Sequence, residues 1–319
     1  MPRRFVAPMV SLIAGLMFVP ITTSAQLRQP GLVYDFDRPD EKPAPPPKHD
    51  ISGVWEPALG PGAGIQGKGA LAMGSCEYKV PGVPYSGYAY DPKAPVPDCL
   101  RPAVEPPYTA LGRETLLSHV PTEGYRMVPS VESNDPEPGC NPQGFPRIVL
   151  HLFRTSRIIQ TRDNVVILYE LNKKWRTIWT DGRQLPKNAE QPTWGALYAP
   201  ESRWWGYSVG KWEDDYTFVG ESNGFNDKTW IDNAGLPHSD ALQVEERYHR
   251  VDRDHLEMTI IIDDPKMYTK PWVALNKLRL RLQSPSFDIP EEECSPLETE
   301  EYNKMFASPA AGKDATKQP

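Results

Sequence analysis

Short runs of alternating apolar and polar residues, separated by turn signals about every ten residues, fill residues 147–284. In the run HLEMTIII (255–262), Leu, Met and Ile side chains share one side of an extended chain, while Glu257 and Thr259 share the other. One buried face and one solvent-exposed face are typical of a single curled sheet. Seven or eight such hairpin-linked runs, with DISGVW (50–55) as one more, predict an all-β fold, an antiparallel up-and-down β-barrel.

Proline usage divides the rest of the chain, since 22 of the 36 prolines lie in residues 27–146 and only six in 147–284. Prolines remove backbone donors and break long helices and central strands. We therefore expect a Pro-rich linker over 26–49 and one barrel domain over 50–306. That domain comprises an irregular arm (56–146) and the strand meander (147–284), and a disordered tail (307–319) follows it.

Two segments outside the meander are typical of short helices. The arm contains TALGRETLLSHV (109–120), in which Thr109 is a suitable N-cap. Near the C-terminus, SPLETEEYNKMF (295–306) begins with the capping-box pattern of Ser295 and Glu298, with proline in its first turn.

The N-terminus has the layout of a secretory signal peptide. Arg3 and Arg4 precede the apolar stretch FVAPMVSLIAGLMFVPI (5–21), and the small-residue segment TTSAQ follows it. This pattern predicts a signal peptide over 1–25, cleavage after Ala25, and export to the periplasm or the medium. The mature chain has no further apolar run that could span a bilayer, so we expect no membrane span.

Charge and motif content exclude several classes of function. The formal net charge is −7 and becomes more negative when the signal peptide takes Arg3 and Arg4 away. An acidic chain without a basic stripe has no field to attract nucleic acid. The chain contains neither H-x-H nor H-E-x-x-H, so we predict no metal site and no cofactor.

Four cysteines in an exported chain predict disulfides. Three pairings are possible, and no C-x-x-C pair suggests zinc. We favour Cys76–Cys99, which closes a local loop, and Cys140–Cys294, which ties the arm to the C-terminal tail.

Several phrases of the chain resemble a large group of exported bacterial proteins that have a predicted β-barrel and no assigned activity. The resemblance covers roughly residues 50–284 and is carried by GCNPQGFPRI, RTIWTDGR, WWGYSVGKWE, NAGLPHSDAL, VEERYHRVD and DDPKMYTKPW. The Gly53-x-Trp55 motif is similar to the opening motif of lipocalins. Independently of this likeness, the strand pattern predicts a barrel of about eight strands, which has room for one small ligand.

The stretch GLPHSDAL places His238, Ser239 and Asp240 side by side, just before a strand. Neighbours in an extended chain point to opposite faces, so Ser239 cannot complete a triad with the other two. His238 and Asp240 share a face, and the carboxylate can orient the imidazole as a general base. The alternative is purely structural: His238 lies at the barrel rim, and Asp240 accepts hydrogen bonds from backbone groups of the turn. GYSVG (206–210) matches the nucleophile-elbow pattern, but a strand follows it where that elbow needs a helix.

Two further polar sets lie near strands. Asp181 and Arg183 end the run WRTIWTDGR beside two tryptophans, and Glu245 and Arg247 share one face of VEERYHRVD. The simplest interpretation is that both sets form ion pairs on the surface. The functional interpretation is that one set points into the barrel, where a carboxylate with a shifted pKa can act as a general acid or base. The candidate catalytic residues are His238, Asp240, Asp181 and Glu245. The candidate substrate-binding residues are Trp179, Arg183, Tyr207, Trp205 and Arg247.

Two classes of function remain. The first is a cofactor-independent acid–base enzyme, a hydrolase, lyase or isomerase, that acts on a small and largely apolar molecule in the barrel cavity. The alternative is a non-catalytic, lipocalin-like protein that binds such a molecule. Ionisable residues beside tryptophans favour the enzyme. The enzyme and the binding protein differ in the direction of four side chains, those of Asp181, His238, Asp240 and Glu245. The sequence leaves the oligomeric state open.

Overall fold

The structure is a computed structural model that describes residues 34–58, 105–122, 128, 130–151, 153–187, 202–310 and 312. Nine strands in these residues form one closed barrel in chain order, and the first pairs with the last. The strands are β1 (Gly53–Pro57), β2 (Ser156–Gln160), β3 (Asn164–Tyr169), β4 (Trp175–Trp179), β5 (Tyr207–Trp212), β6 (Thr217–Asn223), β7 (Gln243–Arg250), β8 (His255–Asp263) and β9 (Trp272–Leu282). The predicted all-β barrel is confirmed, while its likeness to lipocalins stays a prediction.

One pair of strands departs from the expected arrangement. β4 and β5 are parallel, with Ile178 opposite Ser208 and Trp179 opposite Val209, whereas the other neighbouring strands are antiparallel. Parallel neighbours cannot be joined by a hairpin, because the chain must return along the whole strand. Residues 180–206 connect these two strands in the sequence. The expectation of a fully antiparallel barrel was wrong at this pair.

The inner face of the barrel is filled by side chains. On β7, buried residues such as Glu246 and Tyr248 alternate with more exposed ones, and Ile260 on β8 is fully buried. A Cβ atom added to Gly210 would lie 2.5 Å from the Phe218 ring, so even one methyl group does not fit there. The described interior is therefore a packed core.

Both predicted helices are present with the predicted caps. The Thr109 side chain accepts a hydrogen bond from the Gly112 backbone, and the Ser295 side chain accepts one from the Glu298 backbone. The helices are α1 (Ala110–Ser118), a single turn α2 (Arg147–Leu150), α3 (Pro296–Tyr302) and α4 (Ser308–Ala310), with a wider turn over Asn303–Ala307. The ordered chain thus continues beyond residue 306, where the tail was expected to begin. Tighter single turns lie at Ser130–Glu132 and Glu137–Gly139.

The described part of the arm packs against one end of the barrel. Tyr108 pairs with Tyr268 in the β8–β9 connection, and the His119 ring stacks on Trp230 at 4.4 Å in the β6–β7 connection. Phe145 joins the hydrophobic core. These contacts make the arm part of the barrel domain.

The Cys140–Cys294 disulfide is formed, as predicted, whereas Cys76, Cys99 and the signal peptide lie outside the described residues. Within the described part of the chain, no helix combines the length and apolar character needed to cross a membrane. Residues 34–49 of the expected linker lie against the barrel, where Glu41 binds Arg281 at 2.7 Å.

Candidate functional site

Four of the predicted site residues meet on the outer face of β4 and β5. The Arg183 guanidinium lies 3.8 Å from the centre of the Trp179 ring. It donates hydrogen bonds to the Tyr207 hydroxyl at 2.9 Å and to Asp181 at 2.5 Å. Since the next residue along β5, Ser208, is buried on the inner face, this cluster faces away from the barrel interior.

The Arg183 contacts determine what Asp181 can do chemically. Hydrogen bonds from Arg183 hold the pKa of the Asp181 carboxyl below its usual value. A carboxylate that is bound in this way is a weak proton acceptor at neutral pH. The arrangement therefore suits Asp181 to fixing the arginine over the tryptophan rather than to general base catalysis.

The remaining predicted residues outside the triplet lie elsewhere. Glu245 accepts a hydrogen bond from Arg247 at 3.1 Å, and Arg247 also binds Glu213, all on the outer side of β7. Trp205 stacks on Tyr169 at 5.9 Å, against the core. The predicted substrate-binding residues are thus split among three places.

His238 is buried, with 6% of its surface exposed. Its Nε2 lies 2.7 Å from the Thr229 hydroxyl, and its Nδ1 lies 3.2 Å from the Ser239 carbonyl oxygen. Burial lowers the pKa of the imidazole, so the ring is neutral at pH 7. A neutral ring with hydrogen bonds at both nitrogens links the β6–β7 connection internally.

The expected pairing of Asp240 with His238 was wrong. Asp240 is exposed, and its carboxylate binds Lys266 at 2.5 Å. The Ser239 hydroxyl donates to the buried Asp264 at 2.8 Å. The three neighbours therefore bind three different partners, because the chain turns here instead of running as a strand.

The carboxylate of β7 that points into the barrel is Glu246, one residue beyond the predicted Glu245. It is fully buried, and its two oxygens accept hydrogen bonds from Arg176, each at 2.6 Å. Tyr248 donates to it at 2.9 Å, and the Phe145 ring covers the guanidinium at 3.7 Å. Such a saturated ion pair fits a structural role in the core.

A second acidic group lies outside the barrel, on three adjacent strands. We call this group the acid row. It consists of Glu56 on β1, Thr155 just before β2 and Glu170 just after β3. The Thr155 hydroxyl donates to Glu56 at 2.5 Å, and the Thr155 backbone donates to Glu170 at 3.2 Å. The acid row has no local signature in the sequence, because Thr155 and Glu56 are 99 residues apart and meet only through barrel closure.

The acid row is covered, and its carboxyl groups are perturbed. Only 1% of the surface of Glu56 is exposed. Burial raises the pKa of Glu56 to about 7; the Thr155 hydrogen bond opposes this shift, and the charge of Glu170 adds to it. Burial likewise raises the pKa of Glu170. Tyr34, whose hydroxyl interacts with Thr155, lies over the row.

Two buried polar atoms at the acid row have no hydrogen-bond partner within the described part of the chain. They are Oε1 of Glu56 and Nε of Arg154. Nε of Arg154 lies 3.6 Å from a Glu292 oxygen, too far for a hydrogen bond. Arg154 acts electrostatically on both Glu56 and Glu170, so it belongs to the same group. Other buried side-chain atoms of the described residues also lack a hydrogen-bond partner, so what distinguishes this place is that two such atoms lie beside a second carboxyl group.

No group of three or more His, Cys, Asp or Glu side chains in the described ranges is arranged to hold a metal ion. Comparisons with protein-family models, with curated proteins and with solved structures found no match to the chain.

Proposed function

We propose that the mature protein is an exported, cofactor-independent acid–base enzyme, a hydrolase, lyase or isomerase acting on a small and largely apolar molecule, with the acid row as its catalytic centre. The observation that carries the proposal is the pair of unsatisfied buried atoms, Glu56 Oε1 and Arg154 Nε, beside a second carboxylate. Together they offer one site of proton exchange and one cationic donor to a ligand oxygen.

The environments of the two glutamates support distinct roles. With a pKa of about 7, Glu56 is present in both protonation states at neutral pH, as efficient general acid–base catalysis requires. In the proposed reaction the Glu56 carboxyl gives its proton to a substrate oxygen as electron density builds up on that oxygen, and Arg154 stabilises the partial negative charge of the transition state. Glu170 accepts the proton that the substrate or the attacking water loses, and Thr155 fixes both carboxyl groups.

The proposed substrate site lies on the outside of the barrel, in contrast to the cavity expected from the sequence. The described interior is packed, and the ion pair of Arg176 with Glu246 inside it is saturated by hydrogen bonds. At the acid row, by contrast, the Tyr34 and Phe287 rings lie 5.2 Å apart and provide apolar surface beside the unsatisfied atoms. An apolar molecule that carries an oxygen acceptor fits this combination.

The test compares mature wild-type protein with Glu56→Gln, and with Glu221→Gln as a matched control on the exposed face of β6. Each protein is incubated, without added cofactor, with a small-molecule extract of the periplasm and medium of the producing cells, and mass spectrometry follows the mixture. We expect wild type and the control to convert at least one compound, at a rate that Glu56→Gln lowers by about 10²–10⁴-fold.

Equal conversion by Glu56→Gln would rule out the catalytic role of this carboxyl. A compound that the wild-type protein retains without changing it would instead support the binding protein. N-terminal sequencing of the exported protein tests the proposed localisation, and we expect the mature chain to begin at Gln26.

A further inference from the structure

Residues 34–49, which we call the strap, run over the outer face of the barrel near β1, β8 and β9. At one end Tyr34 lies over the acid row, and at the other the His49 backbone donates to Asp215 at 2.8 Å. The strap covers residues that would otherwise face solvent. Arg281 belongs to the outward face of β9, opposite Glu56 of β1, and yet it is buried.

The strap is held by backbone hydrogen bonds, such as that from Arg253 to Ala44 at 3.0 Å, and by two of its acidic side chains. Asp37 lies 2.8 Å from Nε2 of His255, and Asp252 of the barrel lies 2.8 Å from Nδ1 of the same ring. Glu41 binds Arg281 through both of its oxygens, at 2.7 and 2.8 Å. We call these two contacts of the strap, Asp37 with His255 and Glu41 with Arg281, the latch.

The strap buries little of its own surface. All of its residues are at least partly exposed, so it contributes no fully buried side chain to the core. The side chains of Asp37 and Glu41 are 39% and 26% exposed, so water can replace them when the latch opens. A segment with few buried apolar contacts can open locally without unfolding the domain.

We propose that the strap is a lid over the acid row, held closed by the latch and opened to admit the substrate. This inference rests on the proposed function, because it assigns the strap to the access route of that site. Opening removes Tyr34 from above Thr155 and brings water to Glu56, and closing returns the carboxyl to its dry environment.

The test uses the full mature chain and the double variant Asp37→Asn/Glu41→Gln. Asp40→Asn is the matched control, since it removes a charge from an exposed residue of the same strap. Limited chymotrypsin digestion after Tyr34 and Phe36, neither of which precedes a proline, and hydrogen exchange of residues 34–49 report opening. We expect the double variant to be cleaved and exchanged about ten-fold faster and the control to stay within about two-fold of wild type. Unchanged cleavage and exchange in the double variant would overturn the latch.

A second measurement links the strap to the acid row. The pKa of Glu56, followed by NMR of carboxyl-labelled glutamate, should fall from about 7 towards 4.5 in the double variant as water gains access. If the double variant is cleaved and exchanged faster while the pKa of Glu56 stays the same, the strap does not cover the acid row, and the proposal of a lid is wrong. Neither measurement uses turnover, so a failure of the proposed catalysis appears separately, as equal conversion by Glu56→Gln.

Discussion

The substitution Glu56→Gln tests the environment of the acid row through the free energy of unfolding. The pKa of Glu56 rises from 4.5 in an ordinary environment to about 7 in the folded protein. The folded state therefore binds this proton more tightly than the unfolded state does. Stability contributed by the protonated carboxyl is present below pH 4.5 and is lost as the pH rises towards 7. Glutamine has the size of glutamate and remains neutral at every pH. The free energy of unfolding of the variant therefore does not fall at this site as the pH rises.

The magnitude follows from the size of the pKa shift. Each pKa unit corresponds to 1.36 kcal/mol, so the shift of Glu56 amounts to about 3 kcal/mol between pH 4.5 and pH 8. The side chain is almost fully buried, so solvent screens this value little. Because the charge of Glu170 raises the pKa of Glu56, the measured difference belongs to the coupled pair.

Urea unfolding at pH 4.5 and pH 8, with the disulfide intact, provides the assay. The free energy of unfolding of Glu56→Gln minus that of wild type should be about 3 kcal/mol larger at pH 8 than at pH 4.5, with equal m-values. Taking this double difference removes the contributions of the other titrating groups. Glu221→Gln, exposed on β6, should give a double difference near zero. A double difference below about 1 kcal/mol for Glu56→Gln would refute the buried, proton-retaining carboxyl.

Three further predictions concern the rest of the fold. Replacing both Cys140 and Cys294 by serine should lower the free energy of unfolding by about 5 kcal/mol, since the disulfide closes a loop with a sequence separation of 154 residues; an effect below about 1 kcal/mol would contradict the entropic argument. Glu246→Gln should cost about 3–5 kcal/mol in urea unfolding, because it leaves a buried arginine without its charge partner, and a neutral outcome would show that the pair is hydrated. His238→Gln should lower the free energy of unfolding by about 1–3 kcal/mol, because it removes buried hydrogen bonds. Asp240→Asn removes only an exposed ion pair and should lower it by less than about 1 kcal/mol in thermal or urea unfolding. A larger effect of Asp240→Asn than of His238→Gln would contradict the assigned partners.

The strands could be predicted from the sequence because their signal is local. Alternation with period two, interrupted by turn residues, identified the segments that form all nine strands, including the isolated run that became β1. The parallel pairing of β4 and β5 was missed, although a signal was present. Residues 180–206 are far too many for the hairpin that was assumed, and a parallel pair requires a long return.

The candidate site was harder to predict because alternation defines two faces without saying which is inside. On β7, Glu245 was selected, although Glu246 shares its face with Val244 and Tyr248, whose apolar character marks the core side. An error of one residue moves a carboxylate from a packed interior to the solvent-exposed surface. Apolar neighbours at positions two residues before and after would have resolved this choice.

The acid row depends on contacts that no local pattern encodes. Glu56 follows Trp55 in a strand that pairs with both β2 and β9, and the register of these pairs brings Thr155 and Arg281 beside it. The turn at His238 shows the same limit, because the argument from an extended chain placed Asp240 near the imidazole, whereas the chain bends and Lys266 captures the carboxylate. In both places, residues distant in the sequence determine which groups the side chains contact.

The two covers of the acid row differ in how firmly they are held, and this asymmetry explains why access should come from the strap side. On one side, the tail before α3 is pinned beside Glu170. The Asn172 backbone donates to Glu292 at 2.6 Å, the Cys294 backbone donates to the Asn172 side chain at 2.6 Å, and the disulfide anchors the same segment covalently. On the other side, the strap is held by hydrogen bonds and by the ionic latch, and all of its residues are at least partly exposed. Opening the tail side would require movement next to a covalent anchor, whereas opening the strap would break only noncovalent contacts. The movable wall is therefore the one that carries Tyr34, and the fixed wall keeps Glu170 and Thr155 in register for each opening.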